Sequence, residues 1–277
     1  MARDPEQLPA RAEGVRAFTQ TRQPGFADCA PSGRVRLDGL ARWLQDVAYA
    51  DVEDAGLAQA AVWVVRRTRI RVNRFPRFGE HFALTTFCSG LGRMWAERRT
   101  DIIAQGREDA DVEAVSLWVH LDAEHWRPSP LSEFEVQKYT GSVAHRRVTA
   151  RLRHPAPGTF DGGASWTFRA TECDIADHVN NAAYWLPLEE ELLTSRDLEC
   201  IDVEMEYRAP AQPGTKRVLA NGARRWIVGD DEEVHASIAL NAVAYVVDAH
   251  DPDAHDPDAG DPDAHDPDAQ DAERDGG

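Results

Sequence analysis

Two side chains of opposite acid–base character stand four residues apart in the segment Cys-Asp-Ile-Ala-Asp-His-Val-Asn-Asn, residues 173–181. The carboxylate of Asp174 could orient or deprotonate a water molecule, or attack a carbonyl carbon itself. The imidazole of His178 could bind the substrate or steer the reacting groups. Free backbone N–H groups at the start of a following helix would stabilise a developing oxyanion. The segment therefore favours attack on an activated carbonyl, although Asp174 could also be an ordinary turn residue.

A degenerate copy of this segment, Asp-Cys-Ala-Pro-Ser-Gly-Arg-Val, occupies residues 28–35 in the N-terminal half. Aligning the cysteines of the two copies without a gap places Ala30 opposite the carboxylate and Arg34 opposite the imidazole. Asp28 then falls opposite Glu172, so we expect it to be structural. The repeat predicts two related domains, of which the first retains the scaffold and the second the reactive site.

Each copy precedes a helix and several strands. Apolar residues recur at mostly helical spacing over 35–54 and stop at Gly56. β-Branched and aromatic runs, separated by turn residues, indicate strands. The predicted fold class is α+β, with two antiparallel sheets each wrapping a long helix. The predicted strands are 62–72, 81–88, 94–103 and 112–121 in the first half and 165–171, 201–207, 217–228 and 234–247 in the second, which also has a helix over 180–194.

The chain of 277 residues is long enough for two domains of roughly 100 to 130 residues. The pattern weakens between the halves, where prolines and arginines accumulate. The predicted organisation is a flexible N-terminus (1–13), an N-terminal domain with the degenerate site (14–135), a linker (136–158), a C-terminal domain with the reactive segment (159–247) and a disordered tail (248–277).

The tail repeats Asp-Pro-Asp-Ala-His with small variations. It holds 11 Asp and one Glu against one Arg, so it contributes −11 to the formal net charge of −17. A segment this acidic, rich in proline and free of aromatic residues cannot bury enough surface to fold. We therefore expect a solvated tail, and a body whose net charge is only −6.

Composition narrows the expected surroundings and partners. No apolar run approaches the roughly 20 residues needed to cross a bilayer, so we expect no membrane span. No broad basic excess indicates nucleic-acid binding. The cysteines form no close pair, which favours a reducing cytoplasm and argues against a disulfide or metal role. They are Cys29, Cys88, Cys173 and Cys200.

The reactive segment, with Tyr184 and Glu190 in the helix after it, resembles the hot-dog thioesterases. More narrowly, the chain from about residue 16 to residue 247 resembles the acyl-acyl carrier protein thioesterases of plants and bacteria, which are tandem, or double, hot-dog proteins. The matching signatures are Trp-Val-Val-Arg-Arg (63–67), Arg-Phe-Pro-Arg-Phe-Gly (74–79), Ser-Leu-Trp-Val (116–119) and Glu-Tyr-Arg (206–208).

The resemblance implies a thioester hydrolase in which Asp174 and His178 are catalytic. It also implies that the N-terminal domain shapes an acyl pocket and that the C-terminal domain is catalytic. Hydrolysis of a thioester by these groups requires no metal or organic cofactor. The expected partner is an acyl carrier protein bearing an acyl chain, and a homodimer is possible. Two alternatives remain open: hydrolysis of acyl-CoA, and a noncatalytic protein that binds or senses acyl thioesters.

The sequence departs from the family pattern at two places. Ala176 replaces a motif asparagine, and residues 209–211, Ala-Pro-Ala, replace a segment with a glutamate proposed to be catalytic and a cysteine. Asp177 or Glu190 could compensate. For Asp177 the simpler interpretation is a charge that favours the helix dipole. For Glu190 a structural hydrogen bond or a helix-face charge is equally consistent with the sequence.

Other side chains are candidates for binding. Asn180 and Asn181 could bind substrate or cap the helix. Trp43 on the first helix could be a pocket wall or a core residue. Arginines alternate at positions 67, 69 and 71, so they should lie on one face of a strand, where they could steer an acidic carrier protein or simply be solvated.

Overall fold

The computed structural model describes residues 8–9, 14–58, 62–122, 124–141, 148–158, 163–194 and 197–246. The predicted tail, 248–277, and most of the predicted N-terminal segment, 1–13, lie outside the described residues. Among the described residues, no helix combines the length and the apolar character required to span a membrane.

The described residues form strands and helices in the predicted order. One strand near the N-terminus and one short helix, residues 133–139, escaped the sequence analysis. The strands are β1 (Phe18–Arg22), β2 (Val62–Val72), β3 (Phe82–Leu91), β4 (Trp95–Ala104), β5 (Val112–Leu121), β6 (Ala164–Phe168), β7 (Leu198–Tyr207), β8 (Gly214–Asn221), β9 (Arg224–Val228) and β10 (Val234–Tyr245). The helices are α1 (Leu37–Asp54), α2 (Glu133–Tyr139) and α3 (Leu186–Leu193).

The strands form one continuous antiparallel sheet rather than two separate ones. Their order is β1-β3-β4-β5-β2-β7-β10-β9-β8-β6. The sheet of each half contributes an edge strand to the centre, where β2 pairs with β7. This pairing satisfies the backbone groups that two open edges would have left exposed. The expectation of two sheets is corrected accordingly, whereas the repeated arrangement of helix and strands is retained.

Complementary charges join the two halves along the central strand pair. Arg69 binds Asp202 through two hydrogen bonds of 2.8 and 2.7 Å, and Arg71 binds the same carboxylate at 3.0 Å. Arg67 lies 3.6 Å from Glu204. The three arginines therefore pair with an acidic row on β7, and the expectation that they form a solvated or carrier-steering face is wrong. Their like charges are tolerated in one row because the facing strand neutralises them.

Helix α1 provides much of the core, with the side chains of Leu37, Leu40, Trp43, Leu44 and Val47 buried against the sheet. Helix α3 is shorter than predicted. A 3₁₀ turn, Ala183–Trp185, precedes it, and Pro187 lies in its first turn. Proline fits there because the first-turn N–H groups have no partner within the helix.

Two sequence-based boundaries differ from the structure. The predicted strand 217–228 is a hairpin, since Gly222 has a φ of 52° and turns the chain between β8 and β9. Positive φ is accessible to glycine at little steric cost. Helix α2 crosses the predicted boundary between residues 135 and 136. The division into 14–135 and 159–247 remains a prediction.

Candidate active site

The two copies of the repeated segment share one backbone conformation. Each closes with an isolated antiparallel bridge, Cys29 with Val35 and Cys173 with Val179. Within the loops the N–H of residue 30 donates to the carbonyl of residue 34 at 2.8 Å, and the N–H of residue 174 donates to the carbonyl of residue 178 at 3.0 Å. The gapless alignment therefore matches the two loops residue by residue. Differences in function must arise from the side chains they carry.

The degenerate loop carries a buried ion pair in place of the reactive groups. Arg34, which corresponds to His178, is 1% exposed and lies 2.7 Å from the carboxylate of Glu189 on α3. The second oxygen of Glu189 accepts the backbone N–H of Leu37 at 2.9 Å. Ala30, at the position of the reactive carboxylate, is buried. This loop fastens one half of the molecule to the other.

The second loop holds its carboxylate by two hydrogen bonds. The backbone N–H of Ala176 donates to Oδ1 of Asp174 at 2.9 Å. The side-chain amide of Asn180 donates to Oδ2 at 3.0 Å, and its own Oδ1 accepts the N–H of Ala182 at 2.9 Å. Asn180 therefore caps the following turn, as one alternative predicted, and fixes the carboxylate. The described hydrogen bonds of Asn180 place it beside the carboxylate, and its direct contact with substrate stays a prediction.

Helix α1 of the other half reaches the same loop. The side-chain amide of Gln45 donates to Oδ1 of Asn180 at 3.2 Å. A chain of three side chains thus runs from α1 to the carboxylate of Asp174. Sequence reasoning missed Gln45 because 135 residues separate it from Asn180.

A pocket of about 720 Å³ lies between the two halves and includes the reactive loop. Asp174 and His178 both line it, and the described residues offer the His178 ring no hydrogen bond or ion pair. The side chains from the first half are mostly apolar and form what we call the apolar wall: Val62, Trp63, Val65, Met94, Trp95 and Trp126, with Arg66 beside them. The polar side chains from the second half form the polar wall: Asp174, His178, Asn181, Tyr184, Tyr207 and Arg208.

Two tyrosines of the polar wall are neutral hydrogen-bonding groups. Burial raises the pKa of Tyr184 to about 12, and burial also raises the pKa of Tyr207. The hydroxyl of Tyr207 donates to the backbone carbonyl of Asn181 at 3.1 Å and accepts from the indole of Trp185 at 2.9 Å. The hydroxyl of Tyr184 accepts the N–H of Ala211 at 2.7 Å. Both phenols support the backbone that frames the reactive loop.

Arg66 and Arg208 add positive charge to the pocket wall. The guanidinium of Arg66 donates to the backbone carbonyls of Tyr207 and Arg208 at 3.0 and 3.1 Å. Burial and the neighbouring Arg208 lower the pKa of Arg66. The sequence analysis missed both as site residues, although Arg66 lies in one family signature and Arg208 in another. The two guanidinium groups would stabilise negative charge that develops in the pocket.

Besides Asn180, three candidate residues lie outside the pocket wall. Trp43 is 1% exposed and packs against Phe82, with ring centroids 6.2 Å apart. It is a core residue, and the expectation of a pocket wall is corrected. Glu190 is exposed and the adjacent Glu189 is buried. The two glutamates point in different directions because neighbouring residues of a helix differ by about 100° around its axis. Helix α3 also starts later than predicted.

Asp177 is also exposed and does not line the pocket. Its φ is 58°, and its repeat equivalent Gly33 has a φ of 84°. The loop therefore requires a left-handed residue at this position, where a side chain other than glycine is strained. Asp177 lies in a turn before the helix, so its charge does not act on the first helical turn. Its carboxylate also lies outside the pocket, so the structure supports neither the helix-dipole role nor the catalytic role considered for it.

The first prediction concerns this turn. Asp177→Gly should raise the free energy of unfolding by up to about 1 kcal/mol, since it relieves left-handed strain. Turnover should stay near that of the wild type because the carboxylate lies outside the pocket. Chemical denaturation and a thioester hydrolysis assay measure the two effects. A large loss of turnover in the folded variant would restore Asp177 as an accessory catalytic group.

A second prediction concerns the amide that holds the carboxylate. Asn180→Ser retains a capping oxygen but loses the reach to Asp174, so kcat should fall by roughly 10-fold to 100-fold through misplacement of the carboxylate. The control is Asn73→Ser, since the exposed Asn73 side chain bonds only the carbonyl of Ala110 among the described contacts. Equal kcat values for the two variants would remove Asn180 from the positioning of Asp174.

The departures from the family pattern lie on the pocket wall itself. Ala176 and Pro210 both line the pocket, and Ala211 is completely buried. Ala176 has no side-chain amide where the family pattern has asparagine. Pro210 has no carboxylate where the family pattern has glutamate. Apart from Asp174 and His178, the polar side chains that the described residues contribute to the pocket wall include those of the two tyrosines, Asn181 and the two arginines.

One group of described residues has the donor types of a metal site. His154, Glu204 and Glu206 offer ligand atoms within 4.8 Å of one another. Glu206 already accepts the backbone N–H groups of residues 153 and 154, and Nδ1 of His154 lies 3.1 Å from the hydroxyl of Ser237. These contacts dock the segment between the halves onto β7, so we interpret the group as structural.

Residues 17–139 match the family model of the acyl-ACP thioesterase N-terminal domain. An uncharacterized protein of Mycobacterium tuberculosis is 26% identical over 206 residues, which cover 72% of this chain and 82% of the relative. The resemblance inferred from the sequence motifs is thereby confirmed.

Solved structures show the same fold. An acyl-ACP thioesterase from Bacteroides thetaiotaomicron superposes with a TM-score of 0.69 at 18% identity, covering 81% of this chain and 96% of that one. The 12:0-ACP thioesterase from Umbellularia californica gives a TM-score of 0.66 at 16% identity, covering 82% and 98%. The α+β double hot-dog architecture is confirmed.

Proposed function

We propose that this chain, whose N-terminal half carries the acyl-ACP thioesterase N-terminal domain, hydrolyses acyl-acyl carrier protein and releases a free fatty acid. The observation that carries the proposal is the placement of Asp174 and His178 on the wall of one pocket that the first half lines mostly with apolar side chains. A thioester carbonyl is already activated, so a positioned carboxylate and donors for an oxyanion suffice for hydrolysis.

In the proposed reaction Asp174 acts as the general base. Its two hydrogen bonds, from Ala176 and Asn180, fix the carboxylate while leaving lone pairs for a water molecule. The carboxylate removes a proton from that water as the water oxygen bonds to the thioester carbon. His178 orients the substrate and, in its protonated form, gives a proton to the thiolate as the carbon–sulfur bond breaks; the proton held by Asp174 then returns through water to the imidazole. The products are a carboxylic acid and the free thiol of the carrier.

The degenerate loop indicates where the oxyanion would be held. There, a carboxylate of Glu189 lies between the side chain of Arg34 and the N–H of Leu37. The equivalent groups in the reactive loop are the ring of His178 and the N–H of Asn181. The described residues offer the N–H of Asn181 no acceptor, and Asn181 lines the pocket. We assign this N–H as the oxyanion donor, a role for Asn181 in binding the substrate.

The apolar wall from the first half suits an acyl chain or the uncharged arm that carries it. A second cavity, of only about 10 Å³, lies between α1 and the sheet and shares Val65, Asn181 and Tyr207 with the large pocket. Leu44 and Trp118 also line this cavity. We propose that these two side chains limit how deeply an acyl chain enters.

The test compares carriers at a fixed acyl chain. Purified protein is incubated with matched acyl-carrier-protein and acyl-CoA thioesters, and free fatty acid is measured. The proposal predicts catalytic release with the higher kcat/KM for the carrier-protein substrate. A higher value for the CoA substrate would make the protein an acyl-CoA thioesterase.

The absence of the family amide and carboxylate at Ala176 and Pro210 favours a second candidate, a protein that binds acyl thioesters without cleaving them. Its signature is saturable binding of the acyl carrier protein with no free fatty acid.

A further inference from the structure

Helix α1 of the degenerate half touches the reactive loop through one polar side chain. Gln45 is partly buried, lines the small cavity beside Asn181, and donates to Oδ1 of Asn180 at 3.2 Å. Asn180 in turn donates to Oδ2 of Asp174 at 3.0 Å. Gln45, Asn180 and Asp174 therefore form a continuous chain of side-chain hydrogen bonds.

The direction of these hydrogen bonds is fixed by the backbone. Oδ1 of Asn180 accepts the N–H of Ala182, so the other end of that amide must be the NH₂ group that faces Asp174. A second donor to the same oxygen holds the amide in this orientation, and Gln45 supplies it. Chains of hydrogen bonds polarise one another, so the donor also strengthens the bond to the carboxylate.

The other half of the molecule repeats this design. The two loops are 144 residues apart, since Cys29 aligns with Cys173. The same separation places Gln45 opposite Glu189, whose side chain reaches from α3 to the degenerate loop and binds Arg34 and the N–H of Leu37. Each helix therefore sends one polar side chain into the loop of the opposite half. In one direction the contact is an ion pair, and in the other it ends at the reactive carboxylate.

We propose that Gln45 is a positioning residue for hydrolysis, supplied by the degenerate half, which holds Asn180 in the orientation that presents the carboxylate of Asp174 to the attacking water. The inference rests on the proposed hydrolase function and extends it. The first half then contributes to the chemistry as well as to the pocket wall.

The test uses two substitutions at this position. Gln45→Leu removes the donor, and kcat should fall by about threefold to tenfold with little change in KM, as expected for the loss of one neutral hydrogen bond. Gln45→Glu places an acceptor against the Asn180 oxygen, so its kcat at neutral pH should be lower still. As the pH falls towards the pKa of the introduced carboxyl group, its protonation restores a donor. The ratio of this variant's kcat to the wild-type kcat should then rise, whereas the ratio for Gln45→Leu stays constant.

Gln212→Leu is the matched control. The side chain of Gln212 is exposed and donates to the carbonyl of Asp177 at 3.0 Å, so it contacts the same loop outside the hydrogen-bond chain. Its kcat should remain near that of the wild type. The inference would be overturned if Gln45→Leu kept the wild-type kcat, or if Gln212→Leu lost as much kcat as Gln45→Leu. It would also be overturned if the kcat ratios of the two Gln45 variants to the wild type showed the same pH dependence.

A measurement without turnover separates this inference from the proposed function. Solvent exchange of the Asn180 side-chain amide protons, followed by NMR, should be faster in Gln45→Leu than in the wild type or in Gln212→Leu. Equal exchange rates would overturn the positioning role. A wild-type protein that releases no fatty acid, but shows the expected exchange difference, would refute the hydrolase function alone.

Discussion

Asp174→Asn is expected to reduce turnover by roughly 10² to 10⁴ while leaving the fold intact, because the amide cannot accept the proton of the attacking water. The amide oxygen can still accept the N–H of Ala176, which holds the loop. The measurement is kcat for fatty acid release, corrected for the folded fraction from a denaturation curve. Near-wild-type turnover in the folded variant would remove Asp174 from the mechanism.

The matched control is Asp28→Asn in the degenerate half. Asp28 bonds Arg42 and the N–H of Gly25, both at 3.0 Å, and lies in a turn far along the chain from the pocket loop. Turnover per folded molecule should stay near the wild-type value. A comparable loss in both variants would indicate a general effect of removing a loop carboxylate.

Arg34→Met is expected to lower the free energy of unfolding by about 3 to 5 kcal/mol, because it leaves the buried carboxylate of Glu189 without its cation. Both side chains are at most 2% exposed. Glu189 keeps only its bond to the N–H of Leu37 in this variant, and the contact between the two halves is weakened. Chemical denaturation of the variant and the wild type measures the difference.

Two further variants make this result specific. Arg22→Met breaks a surface pair with Asp46 and should cost less than about 1 kcal/mol. The double change Arg34→Met with Glu189→Leu removes both charges, so it should be more stable than Arg34→Met alone. A single variant as stable as Arg22→Met would show that the pair does not join the two halves.

The repeat and the reactive loop could be predicted because their information is local. A gapless copy of seven residues fixes one loop conformation twice, including the left-handed position occupied by Gly33 and Asp177. The helix after the first copy was equally accessible, since its apolar spacing extends over five turns. Local turn chemistry and periodicity suffice for such elements.

The contacts between the halves could not be predicted in this way. The central pairing of β2 with β7 depends on tertiary arrangement, although the acidic residues 202, 204 and 206 alternate as regularly as the arginines opposite them. Glu190 was considered because of the resemblance to the hot-dog thioesterases, whereas the buried partner of Glu189, Arg34, lies in the other half of the chain. Gln45 gave no local signal, since its partner lies on the opposite half of the chain.

The most direct test of the central claim counts turnovers. The wild-type protein is mixed with a large excess of labelled acyl-acyl carrier protein, and free fatty acid and free carrier thiol are followed together. The account predicts many equivalents of both per protein molecule, in a one-to-one ratio, with release abolished or severely slowed by Asp174→Asn. Saturable binding of the acyl carrier protein with less than one equivalent of fatty acid released would contradict it and identify a protein that binds acyl thioesters without hydrolysing them.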